Sequence, residues 1–354
     1  MLGVPDVSVL IVTYEHGDEI ADCLDAALAQ AGDGLTVQVV VADNASRDDT
    51  VAQVAARATD GVQLLQMGSN RGFAAAVNAA FAASTGEHVL ILNPDCVMDA
   101  GCARALRDHL AARPQVAIAA ALLRYPDGTP QLHARRDIGL AGVLWAYTTV
   151  GRRIDTRLRG GRAAAARRYE DLWAGAPPRE PVAVFCPAAA CVLARRRDLA
   201  PLPLDERFPL FFNDGDLCRR LTDAGRGIEI VPAATAAHGY GTSVDRAQRA
   251  DPARMRAEWV ASLQRYAALH WSRAQRVVLA AALFADAVAA AALCLAHRED
   301  PREVRGILGG LGLPGGPPPL LTPVRRGWAR RAPAVAAAVP ARPPADIAPG
   351  SRRP

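Results

Sequence analysis

Four short polar clusters each close a run of apolar residues, where core building alone requires no such side chains. They are Thr13-Tyr14-Glu15, Asp43-Asn44-Ala45-Ser46, Asn70-Arg71-Gly72-Phe73 and Asn93-Pro94-Asp95. A carboxylate at the end of a buried strand can accept hydrogen bonds from a base or a ribose, and Asp43 is placed for that. Asp43 or Ser46 taken alone could equally cap the next helix; four such loops together argue for a site. Asp95 follows Pro94, which stiffens its turn. A carboxylate there could hold Mg²⁺ or Mn²⁺ against a diphosphate, since hard cations bind through one or two carboxylates plus substrate phosphates. Asn-Pro-Asp by itself also describes an ordinary turn. Further on, Asp214 and Asp216 stand two apart at the start of a helical pattern. One of them could face a second substrate while the other caps the helix or orients an Arg.

The clusters gain meaning from the elements that carry them. Val7–Thr13 and Val37–Ala42 are continuous β-branched runs, as strands buried on both faces should be. Gln63–Met67 and Glu87–Leu92 read as third and fourth strands. Between them, Glu19–Ala31, Asp48–Arg57 and Gly72–Ala83 have helical spacing. Short alternating steps of strand and helix predict an α/β fold with a mostly parallel sheet, whose ligands bind at the carboxyl ends of the strands. The pattern loosens beyond Gly101. Cys102–Ala112 reads as a helix, Val116–Leu123 as a strand, and Asp137–Pro181 as a partly helical insertion. Order returns at Val182–Arg195, Asp214–Gly225 (helical), Glu229–Pro232 (strand) and Ala253–Leu269 (helical). Val277–Ala296 is long and apolar enough to span a bilayer on paper. Asp286 sits in its middle, which favours a membrane-surface or core-packed helix instead.

In order and spacing, the blocks VSVLIVTYEHGDEIADCLDAALAQ, VVVADNASRDDT, NRGFAAAVNAAF and HVLILNPDCVM resemble the inverting glycosyltransferase family 2. The nearest branch is that of the bacterial rhamnosyltransferase-like enzymes. PAAACVLARRRDL, DERFPLFFNDGDLCRRL and VPAATAAHGYGTS resemble its acceptor-side motifs, so the likeness runs over residues 6–245. It implies a nucleotide-binding α/β domain of GT-A type over residues 1–245, with a nucleotide-sugar half (1–100) and an acceptor half (101–245) that contains the 137–181 insertion. A helical region suited to a membrane surface (246–312) and a disordered Pro/Arg-rich tail (313–354) would follow. The resemblance assigns nucleotide-sugar binding to Thr13, Tyr14, Glu15, Asp43, Asn44, Asn70, Arg71, Gly72, Asn93 and Asp95. It assigns a divalent metal, Mg or Mn, to Asp95 and His238, the base to Asp214, and the acceptor side to Asp216 and Arg219. Two positions depart from the family pattern: Asn93 stands where the first Asp of the metal motif can occur, and Asn213 stands where Glu is usual. They give some footing to an alternative, a non-catalytic sugar-nucleotide- or partner-binding module on the same fold. The donor implied by the branch is dTDP-rhamnose. The acceptor implied is lipid-linked or a polysaccharide, met at the inner face of the plasma membrane.

Composition narrows the classes further. The 354 residues are 51% hydrophobic and 22% charged, enough to bury a substantial core. All 41 basic residues are Arg, and the net charge is +5. Seven of those arginines lie between Leu313 and Pro354 against one acid, Asp346, so the tail is +6 and the remainder about −1. A folded nucleic-acid-binding domain would carry its charge in the body, so no nucleic-acid partner is expected. The first strand is followed by TYEHGD and not by GxGxxG, which argues against a dinucleotide oxidoreductase. Seven cysteines without a CxxC pair point to a reducing compartment. The N-terminus lacks the basic region and cleavage site of a signal peptide, so a cytoplasmic location is expected.

Overall fold

The computed structural model describes residues 4–32, 34–58, 61–135, 138–159, 177–239, 249, 251–297 and 301–319. Strands β1 (Val7–Thr13), β2 (Val37–Asp43), β3 (Val62–Gln66) and β4 (His88–Leu92) alternate with helices Ile20–Leu28, Thr50–Ala56 and Phe73–Ala83. Then come β5 (Cys96–Met98), the helix Cys102–Ala112, β6 (Val116–Arg124), β7 (Ala134–Arg135) and helices Leu140–Tyr147 and Thr149–Arg159. The segment expected as one ordered stretch from Val182 to Arg195 divides into β8 (Val182–Ala183), β9 (Cys186–Pro187) and β10 (Cys191–Arg195). Helix Asn213–Asp223 leads into β11 (Gly227–His238), and helices Pro252–His270, Arg273–His297 and Arg302–Gly310 follow.

The main sheet has the order β3-β2-β1-β4-β10-β6-β11-β5, with β8 also on β11. β3, β2, β1 and β4 run parallel, and β11 is parallel to β6. β10 lies antiparallel between β4 and β6, and β5 and β8 run against β11. Most strands therefore share one direction, as the alternating pattern predicts. β1 is buried along its whole length. Val7, Val9 and Ile11 enter one core layer while Leu10 and Val12 enter the other, because successive side chains leave opposite faces of a strand. β11 is far longer than the Glu229–Pro232 strand expected. Pro232 interrupts no ladder because it falls inside the register shift between Val231 and Thr235.

A third core joins the C-terminal helices to the sheet domain. Val260, Leu263 and Tyr266 pack with Leu279 and Leu283 around Val143, Phe208 and Phe212. The described part of the 137–181 insertion supplies the two helices from Leu140 to Arg159; residues 160–176 lie outside the described residues, as does the tail beyond 319. In helix Arg273–His297, Asp286 is buried. Its Oδ1 accepts from the backbone N–H of Thr149 at 2.7 Å and of Val150 at 3.3 Å, filling donors that a helix N-terminus leaves open. The one charge in the apolar run therefore points inward. The opposite face leaves Val277, Phe284 and Leu295 at 68%, 59% and 84% exposure. The 24 residues Arg273–Ala296 of this helix, which include an 18-residue window of mean hydropathy 2.3, could cross a membrane by length and composition alone. All seven cysteines are free, six of them buried.

Candidate active site

The first three strand-end loops are tied together by their own polar side chains. Asp43 is buried, and its Oδ1 accepts from Thr13 Oγ1 at 3.0 Å and from Ser46 Oγ at 2.5 Å. Ser46 N donates to Asp43 Oδ2 at 3.0 Å. A carboxylate has about four acceptor directions, so roughly one of those on Asp43 remains for a ligand. Asn44 reaches the third loop: its Nδ2 donates to Gly72 O at 3.2 Å, and its Oδ1 accepts from Arg71 N at 3.2 Å. Asn70 Oδ1 accepts from Gly72 N at 3.0 Å. The loop then reaches the acidic block, with Phe73 N donating to Pro209 O at 2.6 Å.

Backbone strain falls on the same loops. Glu15, Ala45 and Phe212 are the non-glycine residues with positive φ among the described residues, at 58°, 67° and 67°. Such conformations cost on the order of 1–3 kcal/mol each and persist where the surroundings over-determine them. Tyr14 is 40% exposed beside Glu15, whose N–H donates to Ser46 Oγ at 2.9 Å.

Asp95 and His238 meet because β5 pairs with β11 in a register that opposes Cys96 to His238. Asp95 Oδ1 lies 3.4 Å from His238 Nε2, with side-chain exposures of 7% and 4%. Asn93 Nδ2 lies 3.3 Å from the same ring nitrogen. Burial would raise the Asp95 pKa, but the His238 hydrogen bond and the charges of His238 and His16 outweigh it and hold the carboxyl below its ordinary value. Among the described residues no group of three or more His, Cys, Asp and Glu could enclose a metal. Asp95 and His238 do fit one of a different kind: a buried carboxylate oxygen and an imidazole nitrogen close enough to share an ion, with substrate phosphates completing the shell.

Asp214 opens helix Asn213–Asp223 just after the left-handed turn at Phe212. Its Oδ1 accepts from Gly215 N at 2.8 Å, and Arg135 Nη1 lies 3.6 Å from its Oδ2. Asp216 is turned the other way. It is buried, with Oδ2 2.9 Å from Arg220 Nε and Oδ1 2.9 Å from His270 Nε2. Arg219 pairs along the helix with Asp223 at 3.0 Å. Asn213 is buried and donates to Leu210 O at 2.8 Å, which secures the turn before Asp214. The two acids thus have separate surroundings, one partly open and one locked into the helical layer.

Three residues beside the predicted set were not singled out from the sequence: His16, Gln131 and Arg135. Gln131 and His133 are buried, and Arg135 reaches Asp214. The spacing of two among Gln131, His133 and Arg135 after the Asp127-Gly128 turn is a strand signal that was available in the sequence; nothing comparable marks His16.

Known proteins fit this arrangement. The family model described as Glycosyl transferase family 2 matches residues 8–170. The N-acetylglucosaminyl-diphospho-decaprenol L-rhamnosyltransferase of Mycobacterium tuberculosis is 30% identical over 266 residues, 69% of this chain and 78% of that protein. The chain belongs to glycosyltransferase family 2. The succinoglycan biosynthesis protein ExoO of Rhizobium meliloti is 40% identical over a shorter span of 92 residues, 26% of each chain. Among solved structures, the mannosyltransferase PcManGT of Pyrobaculum calidifontis, in complex with GDP-Man and Mn²⁺, superposes with a TM-score of 0.49 at 19% identity, covering 88% of this chain and 87% of that one. Family 2 membership makes the chain a glycosyltransferase, with a rhamnosyltransferase among its relatives.

The separate surroundings of the two acids give a direct expectation. Asp214→Asn should leave unfolding stability within about 0.5 kcal/mol of the parent, as substitutions away from buried networks do. Asp216→Ala removes the buried carboxylate that holds Arg220 and the half-buried His270 and should cost about 3 kcal/mol. Urea unfolding of the two variants checks this; equal losses would contradict it.

Proposed function

We propose that this family 2 enzyme is an inverting, divalent-metal-dependent transferase. It moves L-rhamnose from a nucleoside diphosphate, dTDP-rhamnose by preference, to a polyprenyl-diphosphate-linked acceptor. The observation that carries the reading is the buried approach of Asp95 Oδ1 to His238 Nε2 at 3.4 Å. Two acceptor atoms that close need a proton or a cation between them. The sugar and the acceptor class follow the M. tuberculosis relative, whose name specifies an L-rhamnosyltransferase acting on a decaprenol-linked substrate.

The residues divide the work. The linked loops at Thr13, Asp43, Asn44 and Asn70 to Gly72 receive the nucleoside, with Asp43 offering its remaining acceptor direction. Asp95 and His238, with Asn93 beside them, hold the cation, which when bound supplies positive charge against the departing diphosphate. Asp214 takes the proton of the acceptor hydroxyl as that oxygen bonds to the anomeric carbon. The bond from that carbon to the diphosphate oxygen breaks on the opposite face, so the configuration inverts. Arg135, 3.6 Å away, orients the Asp214 carboxylate.

A lipid-linked acceptor places the enzyme at the cytoplasmic face of the membrane, and helix Arg273–His297 offers the means. Its exposed apolar face is bordered by Arg273 and Arg276, and the chain ends in a tail of net charge +6. Anionic lipid attracts such basic segments by about 1 kcal/mol per Arg near the surface, and the apolar face then adds burial.

Two expectations follow from this reading. Thermal unfolding against dTDP-rhamnose, UDP-N-acetylglucosamine and GDP-mannose should show a shift with dTDP-rhamnose that grows with Mn²⁺ and shrinks in Asp95→Ala. A donor at a hundred times its Kd stabilises by about 2.7 kcal/mol; no shift with any donor would sink the donor-site reading. Sedimentation with phosphatidylglycerol-containing vesicles should carry the enzyme down at low salt. The pair Val277→Asp and Phe284→Asp should leave it in the supernatant with donor binding intact. Vesicle binding unaffected by that pair would refute the surface role of this helix.

A further inference from the structure

We infer that Gln131 is a positioning residue that fixes the tautomer of His238 and so presents its Nε2 lone pair to the cation; this rests on the metal reading proposed above. Gln131 is wholly buried. Its Oε1 stands 2.9 Å from His238 Nδ1, and its Nε2 donates to the His238 backbone oxygen at 3.4 Å. The amide has only one workable orientation. Turned over, its oxygen would face the carbonyl oxygen of His238, and two acceptors would oppose each other. With the amide held this way, an acceptor faces Nδ1, so Nδ1 must carry hydrogen. With Nδ1 so occupied, the proton that links Nε2 to Asp95 Oδ1, 3.4 Å away, is the one a cation would displace, and Nε2 is the nitrogen whose lone pair then meets the ion. A metal-ligating imidazole needs this pattern: one nitrogen donating to an acceptor that orients the ring, the other turned toward the ion.

The surroundings of Gln131 make the orientation rigid. Its N–H donates to Leu123 O at 3.1 Å, and its carbonyl oxygen lies 2.7 Å from His133 Nδ1. His133 is itself buried, and desolvation lowers its pKa, outweighing the hydrogen bond its Nδ1 makes to the Gln131 carbonyl. The same short segment carries Arg135 to Asp214. One stretch of chain therefore sets the metal ligand at one end and the catalytic carboxylate at the other.

The test is Mn²⁺ binding to the full-length protein, followed by the electron paramagnetic resonance signal of free Mn²⁺. Parent, Gln131→Met, Gln131→Glu and Asp95→Ala would be compared. Loss of an orienting partner weakens metal affinity by about 10- to 100-fold. Gln131→Met should show that loss. Gln131→Glu keeps an acceptor at Nδ1 and, measured at a pH where its second oxygen is protonated and donates to the His238 carbonyl, should bind closer to the parent level than Gln131→Met does. If Gln131→Met binds as tightly as the parent while Asp95→Ala does not, the role of Gln131 is overturned and the metal reading stands. If the parent itself binds no Mn²⁺, the metal reading falls and this inference with it. Should Gln131→Met fail to fold, ¹⁵N resonances of the parent decide, with His238 assigned by difference from His238→Ala. A protonated Nδ1 supports the inference, and a neutral ring protonated on Nε2 overturns it.

Discussion

Three antiparallel residue pairs, Met98 with Ala236, Val97 with Ala237 and Cys96 with His238, set the geometry on which the proposed metal site depends. They bring the residue after Pro94 beside the last residue of β11. A slip of one residue would send the His238 side chain to the other face of the sheet. The register is held by more than these pairs. β11 runs along β6 for most of its length, β6 is joined to β10, and β10 is joined to β4, whose end leads to Asp95. The antiparallel β10 thus spaces the two halves of the sheet, and the apolar burial on both faces fixes the distance between Asp95 and His238.

A second chain of contacts ties the proposed nucleoside side to the proposed acceptor side. Thr13 binds Asp43, Asn44 binds the Arg71-Gly72 turn, and Phe73 binds Pro209, four residues before Asn213. Phe212, held in a left-handed conformation, is buried against Tyr266 and Trp259 of the helix Pro252–His270. That helix also supplies His270 to Asp216. The C-terminal helices therefore buttress the turn that presents Asp214, the proposed base.

Much of this was legible in the sequence where the local signal was strong. The β-branched runs at Val7–Thr13 and Val37–Ala42 announce buried parallel strands, and the polar clusters after them announce a site. Asp95, Asp214 and His238 were singled out by motif. Other parts depend on tertiary pairing and left little local trace. β5 has three residues and forms only because β11 lies beside it. β11 continues past Pro232 because a bulge absorbs the missing donor. Asp214 and Asp216 look equivalent in sequence, and only the positions of Arg135 and His270 separate their roles. Gln131 carries no chemical signature of its own; its meaning comes from the ring it touches.

The central claim is that Asp95 and His238 share one divalent cation with the donor diphosphate, and anomalous diffraction tests it most directly. Crystals grown with Mn²⁺ and a nucleoside diphosphate would be measured at the manganese edge. The account predicts one anomalous peak about 2–2.3 Å from both Asp95 Oδ1 and His238 Nε2, with diphosphate oxygens completing the shell. A bound nucleoside diphosphate with manganese elsewhere, or with none between these two side chains, would contradict it.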